Sequence, residues 1–238
     1  MSLGHGASIV RNGLVLHLDA ANIKSYPGSG TSWFDISGRG NNGTLSSVTY
    51  DSTGCMVLDA SSDNVLIAHS TTFNFSSTFT VSVWLRVNSF NTSSIYNVLS
   101  KKPSFNNTQK GWSCQYDYRT TGVMQYRNND GTVLNDSTPT STVDNTLLLN
   151  QTTTWVNTVW TINGSTVTYY INGVSKLTNT AAYTNTDTTS DIYIGKTVGS
   201  IGDPGLIMNL SQVAVYNRVL SIQEVQQNFS ALRGRYVI

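Results

Sequence analysis

Trp155-Val156-Asn157-Thr158-Val159-Trp160-Thr161-Ile162-Asn163-Gly164-Ser165-Thr166-Val167-Thr168-Tyr169-Tyr170-Ile171-Asn172-Gly173 decides the fold. β-Branched and aromatic residues alternate with polar ones as far as one Asn-Gly pair, resume after it, and stop at a second. Asn-Gly tolerates the positive φ angles of two-residue hairpin turns, so the stretch predicts strands folded back on one another. The period of two also places successive side chains on opposite faces, as a strand does and a helix does not.

The alternation recurs to either side. Residues 13–19 set Leu14, Leu16 and Leu18 against Val15 and His17. Residues 79–87 put Phe79, Val81, Val83, Leu85 and Val87 on one face and Thr80, Ser82, Trp84 and Arg86 on the other. Shorter strands are predicted at 55–59, 64–69, 96–100, 191–195 and 205–216, and 111–119 places Trp112, Cys114, Tyr116 and Tyr118 on one face. Asn128-Asn129-Asp130-Gly131 signals a further hairpin, whereas 133–143, polar with Pro139, reads as a long loop or an irregular edge. The glycines and paired asparagines between Tyr26 and Gly43 predict a loop of tight turns. One helix is predicted, at about 221–232. Ser221 and Glu224 have capping-box spacing; Ile222, Val225, Phe229 and Leu232 follow at helical intervals; Gly234 closes the run, with Arg233 and Arg235 at its carboxyl end.

Composition agrees. The 238 residues include 31 Thr, 30 Ser and 24 Asn, residue types that suit exposed strand faces and turns and are poor helix formers. Charged residues are only 11% with a net charge of +1, which argues against phosphate-neutralising nucleic-acid binding. Apolar runs are too short for a transmembrane helix, and the start Met1-Ser2-Leu3-Gly4-His5-Gly6 is too polar for a secretory leader. With no repeat and no linker, residues 13–238 are expected to form one domain behind an N-terminal arm, 1–12. Cys55 and Cys114 fit no metal motif and read as two buried thiols, with a single disulfide as the alternative.

Several motifs, in order, resemble the laminin-G-like branch of the concanavalin A-like lectin/glucanase superfamily. They are Gly13-Leu14-Val15-Leu16-His17-Leu18-Asp19, Trp33-Phe34-Asp35-Ile36-Ser37-Gly38 with Asn41-Asn42-Gly43-Thr44-Leu45, Phe79-Thr80-Val81-Ser82-Val83-Trp84, Tyr169-Tyr170-Ile171-Asn172-Gly173, Ile192-Tyr193-Ile194-Gly195, and Val213-Ala214-Val215-Tyr216-Asn217-Arg218. The resemblance spans roughly 13–229. It implies an all-β, two-sheet antiparallel jelly-roll sandwich with one short C-terminal helix. Asn172 and Asn157 depart from the family's frequent Asp and His at those places. The Tyr-Pro-Gly-Ser-Gly-Thr loop and the Ala-Leu-Arg-Gly-Arg-Tyr ending are similar to virion surface proteins of tailed bacteriophages.

Among the family's activities, glycoside hydrolysis needs two carboxyls flanking the scissile bond, which its glucanases carry as Glu-x-Asp-x-Glu. This chain has one Glu, Glu224, assigned to the helix cap, and the aspartate pairs Asp59/Asp63 and Asp187/Asp191 lie beside turn residues. His5, His17 and His69 stand in no nucleophile motif, so no enzyme is expected. Sugar binding asks for an aromatic platform, for which Trp112, Tyr116 and Tyr118 are candidates; packing between the sheets is the competing duty of these rings. Relatives bind calcium at the rim, and Asp35, Ser37, Asn41 and Asn42 offer hard oxygen ligands in one loop, turn formation being their alternative use. The reading that follows is a non-enzymatic structural protein of a bacteriophage virion, made in the host cytoplasm and decorating the capsid surface. It would contact other virion proteins of the shell or tail through His5, Arg11, Arg233, Arg235 and Tyr236. Two alternatives stand beside it: a carbohydrate-binding tail fibre or adhesin recognising host-surface polysaccharide, and a lectin-like module of a bacterial surface protein. Neither nucleic acid nor membrane is an expected partner.

Overall fold

The hairpins predicted between 155 and 173 form a three-strand meander in the computed structural model, which describes residues 8–90, 94–101, 110–118, 123–129, 134–136, 154–180, 189–196, 206–236 and 238. β12 (Val156–Asn163) pairs with β13 (Thr166–Ile171), and β13 with β14 (Val174–Thr180), all antiparallel. The two turns differ. Asn172 (φ +50°) and Gly173 (φ +76°) form the second loop between paired Ile171 and Val174, the pattern of a type I′ turn. In the first, Asn163 is still paired, with Thr166, so the loop is Gly164-Ser165 with positive φ at Gly164 alone, the pattern of type II′.

The other strands are β1 (Leu14–Asp19), β2 (Ser32–Trp33), β3 (Gly43–Ser46), β4 (Thr49–Asp51), β5 (Cys55–Leu58), β6 (Asn64–Ile67), β7 (Thr78–Ser89), β8 (Ile95–Lys101), β9 (Gly111–Asp117), β10 (Val123–Asn129), β11 (Leu134–Asp136), β15 (Ile192–Ile194) and β16 (Ile207–Tyr216). One sheet runs β14-β13-β12-β7-β16-β5-β4, with β1 beside β16; the other runs β11-β10-β9-β8-β15-β6-β3-β2. Every described pairing is antiparallel, and the two sheets face each other as a jelly-roll sandwich. The short strands β2, β3 and β4 were not predicted: they lie among the Gly, Asn, Ser and Thr residues between Tyr26 and Gly54, whose turn signals outweigh so short an alternation. The expected hairpin at Asn128-Asn129-Asp130-Gly131 matches the β10–β11 pairing, although Asp130 and Gly131 lie outside the described residues, as does most of 133–143.

The core lies between the sheets. Phe79, Val81, Val83, Leu85 and Val87 of β7 join Trp160 and Ile162 of β12 against Trp112, Cys114 and Tyr116 of β9. Two contacts stitch the layers: Tyr116 Oη lies 2.9 Å from Thr158 Oγ1, and Trp160 Nε1 donates to the Gln125 carbonyl at 3.2 Å. Cys55 and Cys114 are free and buried in opposite sheets, and burial pushes both thiols above their usual range.

A second apolar cluster covers the outer face of the β7 sheet, where Leu14, Val159, Tyr170, Ala214 and Tyr216 meet Val225 of α1 (Ile222–Leu232). The capping box forms as expected: Ser221 Oγ accepts from Glu224 N, and Ser221 N donates to Glu224 Oε2. Two details depart from the sequence reading. Ile222 stays exposed while Asn228 is buried, held by Tyr216 Oη and by the Val10 amide. Gly234 does not stop the chain in a left-handed cap; the helix tightens into a 3-10 turn, Arg233–Arg235.

Candidate functional site

The aromatic residues expected as a sugar platform are core. Trp112, Tyr116 and Tyr118 are at most 2% exposed. Trp112 packs on Phe79 with ring centroids 4.8 Å apart, and Tyr118 stacks on Phe90 at 4.3 Å. A sugar ring cannot reach them. Their period-two spacing is that of a strand face turned to the opposite sheet, so the competing duty is the one they perform. The other face of the same strands is polar but also closed. Asn97, Ser113, Gln115, Asp117 and Gln125 are buried, Ser113 Oγ donates to Gln115 Oε1, and Gln115 Nε2 donates to Gln125 Oε1.

The loop expected to hold calcium uses its oxygens internally. Asp35 Oδ1 accepts from the amides of His17 (2.8 Å) and Ser37 (2.9 Å); Oδ2 accepts from Ser37 Oγ (2.8 Å) and the Asn41 amide (3.0 Å). A carboxylate has about four acceptor positions, so none is left to a cation. Asn42 Oδ1 accepts from Asp35 N, and Asn41 Nδ2 donates to the Val15 carbonyl. Turn formation, the alternative weighed for these residues, is what the structure displays. Among the described residues, no group of three or more His, Cys, Asp or Glu side chains converges as a metal site.

The tail residues expected to touch neighbouring proteins are occupied by their own chain. Arg235 Nη1 pairs with Asp19 Oδ2 at 2.8 Å, and Asp19 is 2% exposed. Tyr236 stacks on Trp84 at 4.2 Å and donates to Ser211 Oγ, while the Arg233 guanidinium lies 6.0 Å over the Phe229 ring. Trp84, on the face of β7 that carries Thr80, Ser82 and Arg86, is covered by Tyr236 and Phe229. Arg11 is exposed, and His5 lies outside the described residues.

The acids are likewise committed. Glu224 is held down to about 2, first by hydrogen bonds from Arg218, whose Nη1 and Nη2 grip both its oxygens at 2.9 and 2.6 Å. It therefore stays ionised at neutral pH and cannot supply the protonated partner of a glycosidase pair. Asp63 Oδ2 accepts from the amides of Asp59 and Ala60, and Asp191 Oδ1 from that of His69, so these acids staple turns. Asp187 lies outside the described residues.

Among the described residues, a cleft of about 370 Å³ opens at one end of the sandwich, walled by Arg39, Thr71, Thr72, Asn74, Ser76, Thr78 and Asn217, with Val15 and Phe75 behind them. One wall is the tip of the Asp35-stapled loop. The other is a 3-10 turn, Thr71–Phe73, capped by Ser70 Oγ, and the segment leading from it into β7. Phe73 and Phe75 alternate with Thr72, Asn74 and Ser76. The phenyl rings turn inward, Phe75 stacking on Phe79 at 4.5 Å and meeting Phe73 edge-on at 6.4 Å, and the polar residues line the opening. The signal of this wall in the sequence is the Phe73-Asn74-Phe75 alternation beside the long strand, too short to stand out alone.

Residues 59–226 match a laminin-G family described as the concanavalin A-like lectin/glucanases superfamily. Among curated protein sequences, none matches this chain. Among solved structures, the chain is similar to the binding domain of Paraclostridial Mosquitocidal Protein 1 (TM-score 0.68, 20% identity, covering 92% of this chain and 52% of that one). It is also similar to the receptor binding domain of botulinum neurotoxin C/D mosaic serotype (0.66, 14%, 92% and 51%) and to Trypanosoma rangeli sialidase (0.66, 16%, 100% and 36%). The chain thus spans about half or about a third of the length of these solved chains. At such identities the likeness is one of fold.

Proposed function

The chain belongs to the concanavalin A-like lectin/glucanases superfamily, and from that premise we propose that it is a non-catalytic carbohydrate-binding module whose ligand occupies the end cleft. The observation that carries this reading is the make-up of the walls: hydroxyl and amide side chains from Thr71, Thr72, Asn74, Ser76, Thr78 and Asn217 line one opening. A pyranose presents hydroxyls around its rim, which such side chains match as donors and acceptors. The volume sits at the low end of the roughly 300–1,000 Å³ of small-molecule sites. The absence of catalysis is part of the proposal, and it is supported by the commitments of Glu224, Asp63 and Asp191 described above.

The wider role that fits is attachment, the adhesin or lectin-like module weighed from the sequence. Two of the similar structures are described as a binding domain and a receptor binding domain, and that role comes to this chain as a proposal only. The capsid-decoration reading rests on sequence resemblance alone. Its expected contacts Arg233, Arg235 and Tyr236 are engaged with Phe229, Asp19 and Trp84 of the same chain, so the fold adds nothing to it.

Screening the chain on a printed glycan panel tests the proposal. Specific binding is expected, weakened at least about tenfold in Asn74→Ala/Ser76→Ala, which removes two polar groups from one wall. A panel without any hit, or a hit indifferent to this double change, would overturn it. Release of new reducing ends from a bound glycan would overturn its non-catalytic part.

A further inference from the structure

We infer that the end cleft selects a sugar bearing a carboxylate and that Arg39 is the residue that recognises it. The inference rests on the reading of the cleft as a sugar site and adds the class of ligand.

Arg39 stands at a loop tip between Gly38 (φ +89°) and Gly40 (φ +75°). Nothing lies within 4 Å of a Cβ placed at either glycine, so backbone conformation, and not lack of room, is what calls for glycine on both sides. The shape of the tip is fixed from beneath. Asp35 gathers the four donors named above, Asn42 holds the Asp35 amide, Asn41 ties the loop to β1 at Val15, and Ser37 Oγ accepts the amide of Arg39 itself at 3.2 Å. The residues that resemble a cation site are therefore the staple that presents a cation of the protein's own. A tip held in this way has less conformational freedom to lose on binding.

The Arg39 guanidinium makes no hydrogen bond or ion pair among the described residues; the ion pairs there join Arg218 to Glu224 and Arg235 to Asp19. Across the cleft, Thr71, Thr72, Asn74, Ser76, Thr78 and Asn217 are all uncharged. The opening thus carries one unspent positive charge and no lining acid to repel an anion. A guanidinium presents paired N–H donors in a plane, the geometry that a carboxylate accepts as a two-bond fork. The neutral hydroxyls and amides of the facing wall then suit the remaining groups of a sugar ring. A neutral sugar would leave the charge without a partner, and a simple carboxylate would leave the facing wall unused.

The test uses the full chain and a glycan panel in three arms: neutral glycans, glycans with uronic or nonulosonic acid residues, and glycans sulfated but without a carboxyl. Hits are expected in the carboxylated arm. Reducing the carboxyl of the best hit to an alcohol should weaken binding about tenfold or more by titration calorimetry, and Arg39→Ala should do the same with an unchanged thermal midpoint. Arg39→Lys should fall between, because an ammonium keeps the charge without the fork. Hits confined to neutral glycans and indifferent to Arg39→Ala would overturn the inference and leave the cleft reading standing. Preference for the sulfated arm would overturn the carboxylate assignment. A panel with no hits would sink both.

Discussion

Asp35 shows how a side chain can look like a ligand and work as a staple. Its four accepted hydrogen bonds come from His17, Ser37 and Asn41, on both sides of the loop. Asp35→Asn places a donor where two of those bonds need an acceptor, so a loss of about 1–3 kcal/mol is expected in urea denaturation. His17, beside it, is held below its usual 6.5 by burial, which outweighs the attraction of Asp19 and Asp35; Arg11 and Arg235 push the same way as burial. Its Nε2 lies 2.9 Å from Gln212 Nε2. A neutral ring, which burial favours, can accept the Gln212 amide proton at Nε2. The unfolded chain takes up this proton below about pH 6.5 and the folded chain resists it, so stability present above that pH is lost as pH falls beneath it. The thermal midpoint should therefore decline between about pH 6.5 and 5, and less so in His17→Gln; an identical decline in both proteins would refute this role for His17.

At the scale of elements, the helix gives the cleanest account. Ser221→Ala removes the acceptor of the Glu224 amide and should cost about 1 kcal/mol in thermal denaturation. Glu224, lowered from 4.5 to about 2 chiefly by Arg218, contributes stability that is present above about pH 4.5 and lost as pH falls through about 2. The pair is partly exposed and screened, so its worth is on the order of 1 kcal/mol, and Glu224→Gln should flatten that part of the acid limb. Capping box and hairpins were legible because both are local: the partners lie within three residues, and the turn dictates its own φ angles. The exposure of Ile222 and burial of Asn228 were not, since they depend on where β16 and the 8–12 segment lie against α1.

Across the whole molecule, the segment from Phe229 to Tyr236 closes one face of the sandwich. Tyr236 and Phe229 stack on Trp84, and Arg235 neutralises the buried Asp19. Arg235→Ala leaves that carboxylate without its cation. Because Arg235 is itself 40% exposed, water takes over part of its work, and a cost of about 2 kcal/mol is expected by denaturant titration. The two thiols make the opposite forecast. Free and buried in different sheets, they form no cross-link, so the unfolding midpoint should be the same with and without a reductant; a fall on reduction would reveal a disulfide.

The sequence by itself determined the strands of period two, the turns between them, the capped helix, and membership in a two-sheet sandwich family, because each is written in residues close together along the chain or in a fixed order of such groups. Tertiary structure alone decided which faces are inside. Trp112, Tyr116 and Tyr118 are core, Trp84 is roofed by the C-terminal segment, and Arg39 meets Thr72, Asn74 and Ser76 across a cleft. The physical reason is that both faces of a strand alternate identically along the sequence, and only the second sheet, or the chain end that folds over the first, determines which face loses its water.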